Sequence, residues 1–396
     1  MSIYEEFGVT PIINVSGSVT RLGGAPMPDE VLKAFEEAAR ECVPLEELQG
    51  AASEFIAKTT GTDAGIVTAG AAAAGTLGAA AILTGYDLGK MEKLPHCSGI
   101  SNEFVVAREQ RQGYDHAIRA AGAKLVEVGF NEITANAGVR RTEAWEYEAA
   151  FCENTVGVLY VYGSDSRPPL EDVVEVAHRH ALPVLVDAAG ELPPKDNLKA
   201  IPATGADLVA FSGGKSIRGP QSTGILCGNR HLIASAMVQM LDMDDHPELW
   251  NPPKLVDKKL LGGIPRHGIG RGFKVSKEEI IALLAALRLF ISGEYENEIP
   301  AARSRLERIA DKLCDCPAGC AIIEKPEALP LMEISIDETA LGRSAMEICR
   351  RLRAGAPPIY VGHGELYAGK LSINPLHLDD QRAETLAKRL LEELNP

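Results

Sequence analysis

Two segments carry reactive side chains at the ends of apolar runs. Val184-Leu-Val-Asp187 closes on an aspartate, and Leu208-Val-Ala-Phe-Ser212-Gly-Gly-Lys215 opens into a serine and then a lysine behind two glycines. Both runs have the length of a buried strand, and open α/β sheets bind ligands just beyond the carboxyl ends of such strands. Taken singly, neither segment is specific. An aspartate after a strand often caps a helix, and Ser-Gly-Gly-Lys also makes surface turns.

A third segment lies upstream. Thr68-Ala-Gly70-Ala71-Ala-Ala-Ala-Gly75 reads as a strand entering a helix through residues without bulk. Free N–H groups at such a helix start bind phosphate, although the same residues also suit a tightly packed alanine helix. No Gly-Lys-Ser/Thr follows, so this is not a Walker loop. A lysine that forms an imine, a carboxylate that keeps a pyridine nitrogen protonated and main-chain N–H groups on a phosphate are what pyridoxal 5′-phosphate (PLP) asks of a protein. Residues 68–75, Asp187 and Lys215 supply all three in one chain, so PLP is the expected cofactor.

The elements that must position these groups follow from patterning. From about residue 61 to 228, short β-branched runs alternate with alanine-rich helical stretches, as in parallel βαβ units. Candidate strands are 65–68, 104–107, 124–128, 157–161, 183–187, 208–212 and 224–227, and helical spacing covers 115–121 and 170–180. The expected fold is therefore α/β, with a mainly parallel seven-stranded sheet. Residues 242–272 are rich in Pro, Gly and charge and read as an excursion between domains. Beyond them come long amphipathic helices at 276–291 and 299–313, strands near 331–335 and 370–373, and a closing helix at 378–394. This predicts a large cofactor domain over 51–272 and a small α+β domain over 273–396, with residues 1–50 packing on the small one.

Bulk properties narrow the partners. The 396 residues are 45% hydrophobic, enough for a sizeable core. A net charge of −15 opposes broad contact with nucleic acid, while local arginines leave small anionic substrates open. No apolar run approaches the length of a membrane span, and the start Met1-Ser-Ile-Tyr-Glu-Glu lacks the basic and then apolar order of a signal sequence, so a cytoplasmic home is expected. Eight scattered cysteines suit a reducing compartment. Cys314-x-Cys316-x3-Cys320 is the one cluster, and without a nearby histidine as fourth ligand it reads as loop thiols rather than a zinc site.

The run Phe211-Ser-Gly-Gly-Lys-Ser-Ile-Arg-Gly-Pro-Gln-Ser-Thr-Gly-Ile-Leu resembles the lysine segment of bacterial selenocysteine synthase (L-seryl-tRNA selenium transferase) and of its shorter, D-glucosaminate-6-phosphate ammonia-lyase-like relatives. Pro11-Ile-Ile-Asn-Val-Ser-Gly-Ser-Val-Thr-Arg-Leu-Gly resembles the family's N-terminal loop, the stretch from Tyr114 to Gly129 its middle strand region, and Arg271-Gly-Phe-Lys274 its Arg-x-x-Lys segment. The resemblance implies the aspartate-aminotransferase-like, type I PLP fold. It also implies Lys215 as the Schiff-base lysine, Asp187 on the pyridine nitrogen, and Ser212 with the Gly70-Ala71 turn on the phosphate. Lys274 would add charge to that phosphate, and Arg271 would face a substrate anion, acting across the interface of a homodimer or larger assembly.

Two departures from the synthase pattern redirect the function. The basic N-terminal extension used for tRNA is absent from this sequence, and Arg218 stands where the synthase loop has a small residue. Arg218, with Arg21 from the N-terminal loop, suggests a small acidic amino-acid substrate. The expected reaction is α,β-elimination: Lys215 takes the Cα proton, a β-hydroxyl leaves, and ammonia is released, as in an ammonia-lyase acting on a hydroxylated amino acid or amino sugar acid. The alternatives are a racemase or epimerase, which needs a second base such as His267 or His363, and a non-catalytic binding protein of the same fold. The residue covering the ring should follow strand 104–107, where Gln110, Tyr114 and His116 all remain open.

Overall fold

The apolar runs fold as strands. In chain order these are β1 (Ile13–Val15), β2 (Ala64–Thr68), β3 (Glu103–Ala107), β4 (Lys124–Val128), β5 (Thr155–Val161), β6 (Val184–Asp187), β7 (Leu208–Ser212), β8 (Gly224–Gly228), β9 (Ala318–Ile323), β10 (Leu331–Ile336), β11 (Ile359–Val361) and β12 (Lys370–Ile373). They come from a computed structural model, which describes residues 2–130, 141–241, 244–264 and 266–395. Positions 242, 243 and 265 of the expected excursion lie outside the described residues.

The larger unit, Met27–Arg288, holds a seven-stranded sheet in the order β2-β8-β7-β6-β5-β3-β4. The β7-β6-β5-β3-β4 neighbours are parallel, and β8 runs antiparallel to both β2 and β7. β8 follows β7 through the short segment 213–223, which is too short for a crossover and so turns the chain back. Helices cover the sheet, so β2 and β8 are buried at every position and β6 and β7 at all but the last. That double burial explains their unbroken apolar character. The helix Leu170–Arg179 places Glu171 and Asp172 in its first turn and His178 and Arg179 in its last, matching the helix dipole.

At the open margin of the sheet, helix Leu45–Thr60 replaces a missing neighbour for β2. The Gln49 side chain donates to the Val67 carbonyl at 2.8 Å and accepts from the Val67 N–H at 3.0 Å. One turn on, Ser53 Oγ accepts from the Gly65 N–H at 3.2 Å. Gly65 is glycine because a Cβ there would stand 2.3 Å from Ile56 of the same helix.

The smaller unit combines Met1–Pro26 with Leu289–Pro396. β1 pairs in parallel with β11, which ties the start of the chain to this unit. A second sheet, β12-β10-β9, is antiparallel throughout. Leu306, Ile309, Met332, Ile334, Leu386 and Leu390 form the centre of its core. The bounds therefore lie at 26 and 288 rather than at 50 and 272. Helix Leu45–Thr60 belongs to the larger unit because it lies on β2, and Lys277–Arg288 does because Leu283 packs on Gly213 and Gly219. Among the described residues, no helix is long and apolar enough to cross a membrane.

Candidate active site

β2, β3, β5, β6 and β7 all end on one side of the larger unit's sheet, since two antiparallel steps through β8 restore the direction of β2. Thr68 at the end of β2 and Ser212 at the end of β7 both pair with Gly224, so they stand two strand spacings apart, about 10 Å. Gly224 is forced by this crowding. A Cβ there would lie 2.5 Å from the Gly70 carbonyl carbon and 2.6 Å from the Ala71 nitrogen.

Gly70 turns the chain with φ +94°, a conformation that favours glycine. The Ala74 N–H makes the first bond of helix Ala71–Thr84, to the Gly70 carbonyl at 3.0 Å. The N–H groups of residues 71–73 therefore have no helical acceptor, which is the arrangement that receives a phosphate. Lys215 sits half-buried on a closed loop. Gly213 N–H donates to the Thr223 carbonyl (2.8 Å), Gly219 N–H to the Gly213 carbonyl (2.9 Å) and Arg218 N–H to the Lys215 carbonyl (3.0 Å). A Cβ on Gly214 would stand 2.5 Å from Gln221 main chain, so the glycines before the lysine are sterically required. Arg218 is buried and takes φ +61°, a left-handed conformation rarely adopted by a long side chain.

Asp187 ends β6 two strands from β8, in register with Ala210 of β7. Its Oδ1 accepts from the Ala189 N–H at 3.0 Å and its Oδ2 from the Gln112 side-chain amide at 2.9 Å. Each oxygen keeps a lone pair for a further donor. A lysine, a carboxylate with spare acceptor capacity and a phosphate-sized row of N–H groups thus share one end of the sheet, and this donor set fits PLP.

The segment after β3 resolves into separate roles. Gln110 is buried and engaged, accepting from the Val161 N–H at 3.0 Å and donating to the Arg167 carbonyl at 3.3 Å. Tyr114 and His116 are exposed. Gln112, not weighed in the sequence, is the residue that reaches Asp187. Buried Asp115 holds it in place by accepting from the Gln112 N–H at 3.3 Å and from Arg111, which also grips Glu127. The Tyr147 hydroxyl accepts from the Ala107 N–H at 3.1 Å and fixes the end of β3.

Glu191 is the second residue that sequence reasoning passed over. It lies half-buried in the loop after Asp187. Burial pushes its carboxyl above the usual carboxylate range; Lys215 opposes this shift and Asp187 adds to it.

The remaining candidates have surroundings of their own. Arg271 and Lys274 share a cavity of about 150 Å³ with Gln49 and Met240, and neither Lys215 nor Asp187 lines it. Arg21 belongs to the smaller unit, where its guanidinium lies 5.7 Å from the centre of the Tyr360 ring. His267 pairs with Asp244 at 3.5 Å, and His363 is exposed in the smaller unit. Cys314 is exposed, Cys316 buried and Cys320 half-buried, all as free thiols.

Known proteins carry the same organisation. Residues 114–243 match the family described as SelA, L-seryl-tRNA selenium transferase. The 5'-C-glycyluridine monooxygenase-decarboxylase of Streptomyces sp is 30% identical over 99% of this chain and 92% of its own length. The D-glucosaminate-6-phosphate ammonia lyase of Salmonella typhimurium is 28% identical over 99% and 97%. A solved structure of D-glucosaminate-6-phosphate ammonia-lyase superposes with a TM-score of 0.81 at 26% identity, covering 100% of this chain and 98% of that one. The sheet is that of the aspartate-aminotransferase-like, type I PLP fold. The chain belongs to the selenocysteine synthase (L-seryl-tRNA selenium transferase)-like family, as a PLP-dependent enzyme of lyase type.

Proposed function

We propose that this enzyme eliminates water and then ammonia from a small hydroxylated amino acid or amino sugar acid, with Lys215 removing the Cα proton. The observation that carries this reading is the cluster at the strand ends: Asp187 and the Lys215 loop follow the neighbouring strands β6 and β7, and the Gly70-Ala71 turn follows β2, two strands from β7 on the same side of the sheet. Bound there, PLP supplies a charged ring that takes up the electron pair left at Cα. Lys215 is the residue that would hold the cofactor, and its amine is the base that would take the Cα proton. Asp187, oriented by Gln112, keeps the pyridine nitrogen charged. The N–H groups after Gly70, with Ser212, fix the phosphate, and Lys274 adds positive charge to it.

Arg218 is the proposed partner of a substrate acid group, since its guanidinium is buried on the loop that carries Lys215. Arg271, acting across a homodimer interface, and Arg21 are the other proposed substrate-binding residues. Two relatives that span the chain are named for compounds in which an amino-acid group is joined to sugar carbons, which supports a polyhydroxylated substrate. The net charge of −15 speaks against tRNA.

The test is to offer PLP-loaded protein a panel of D- and L-hydroxyamino acids and amino sugar acids and to measure keto acid and ammonia. Release of both in equal amounts is expected. Inverted amino acid without keto acid would replace elimination by racemisation.

A further inference from the structure

The loop after Asp187 carries a carboxyl group that the steps above leave unused. Its main chain is held on both sides of that group. The Glu191 N–H donates to the Ala188 carbonyl at 3.2 Å, Asn197 Nδ2 donates to the Glu191 carbonyl at 2.7 Å, and Ser216 Oγ donates to the Leu192 carbonyl at 2.6 Å. The last bond joins the residue after Glu191 to the residue after Lys215, so loop and lysine are fixed against each other. Among the described residues the Glu191 carboxylate accepts no hydrogen bond. Lys215 and Asp187 are the charged groups that act on it.

Elimination of a β-hydroxyl demands this kind of group. Hydroxide is a poor leaving group, and a positioned acid that protonates the departing oxygen contributes about 10²- to 10⁴-fold. We infer that Glu191 is the catalytic acid that protonates the leaving oxygen at Cβ. The assignment rests on the elimination reading above. In the step, the Cα–H pair forms the Cα–Cβ double bond while the proton passes to Lys215 Nζ. The Cβ–O bond breaks with its electron pair on oxygen, the Glu191 O–H proton goes to that oxygen, and water leaves. The carboxylate recovers its proton from solvent, and nothing is oxidised or reduced. Burial suits the role, because it favours the protonated carboxyl that must be present before the bond breaks.

Two measurements on PLP-loaded wild type and Glu191→Gln decide it. The first compares serine with 3-chloroalanine, in both enantiomers, because chloride leaves without a proton. Glu191→Gln is expected to lower kcat for serine by about 100-fold with KM little changed, and to hold chloroalanine within about threefold of wild type. Equal losses on the two substrates, or none on serine, would overturn the assignment. The second needs no substrate: Glu191, protonated at lower pH, is ionised at the alkaline end of the titration, where its carboxylate favours the proton on the lysine nitrogen, so the pH midpoint of the visible cofactor band should fall by about half a unit in Glu191→Gln. An unchanged midpoint removes Glu191 from the site. Should wild type release keto acid from neither chloroalanine, elimination itself fails, and the band titration still reports on Glu191.

Discussion

The two sheets of this molecule are built on different terms. In the larger unit, β2 and β8 show no exposed position, and Gly214 after β7 and Gly224 at the start of β8 have other main chain pressed against them. In the smaller unit, β9 alternates half-buried and exposed residues along its length, and β10 buries every second side chain. One sheet is a double-sided platform whose strand ends are shaped for a ligand; the other is a single-sided sheet whose inner face completes a core. Substitutions should therefore separate, with chemistry lost in the first and stability in the second.

The sharpest break is Lys215→Ala. It should lower turnover by at least about 10³-fold and abolish the visible band of the PLP-loaded protein while its thermal unfolding stays cooperative. An unchanged spectrum would remove Lys215 from the site. Gly224→Val should come next, because its Cβ meets Gly70 and Ala71 at 2.5 to 2.6 Å. Overpacking of this kind costs about 1–3 kcal/mol, and PLP affinity, followed by fluorescence on titration, should fall with it. A variant that binds PLP normally would mean that the Gly70 turn does not hold the phosphate.

Ile334→Ala tests the other side of the comparison. It should cost about 2–5 kcal/mol in denaturant unfolding, as buried Ile→Ala changes do, with the pH midpoint of the visible band unmoved. Gln112→Leu should keep stability near wild type but lower kcat by about 10-fold, since Asp187 loses its side-chain orienter. A matching change in unfolding free energy would make Gln112 a structural residue instead. The smallest effect belongs to Asp380, whose carboxyl is held below its usual range by hydrogen bonds from Arg308 and Arg305. Its contribution is present above the unfolded-state value and disappears as pH falls through the lower folded value. Asp380→Asn should accordingly flatten the acid side of the stability curve, measured as urea midpoint against pH.

The contrast between the sheets also explains what was legible in the sequence. β4 and β7 fall on their expected residues, and β6 within one, because a strand buried on both faces, or a strong β-branched run, is visible without its neighbours. β9 escaped notice: Gly319, Cys320 and Ala321 offer little hydrophobic contrast, and only their place beside β10 makes them a strand. The reversed direction of β8 was equally hidden, since an apolar run has no polarity to read. At the site, Asp187 and Lys215 were recognisable because their strands announce where they end. Gln112 was not, because its bond to Asp187 joins residues 75 apart in the chain. Glu191 was hidden for a similar reason, as its nearness to Lys215 depends on a contact between two loops, Ser216 to Leu192.

The clasp of Gln49 and Ser53 on β2 has a consequence for life at high concentration. A strand at the margin of a sheet offers a ladder of vacant donors and acceptors on which a second molecule can continue the sheet, the first step of intermolecular β-assembly. Here the Val67 donor and acceptor and the Gly65 donor are already occupied by a helix of the same chain. Two polar side chains one helical turn apart thus act as a guard against aggregation.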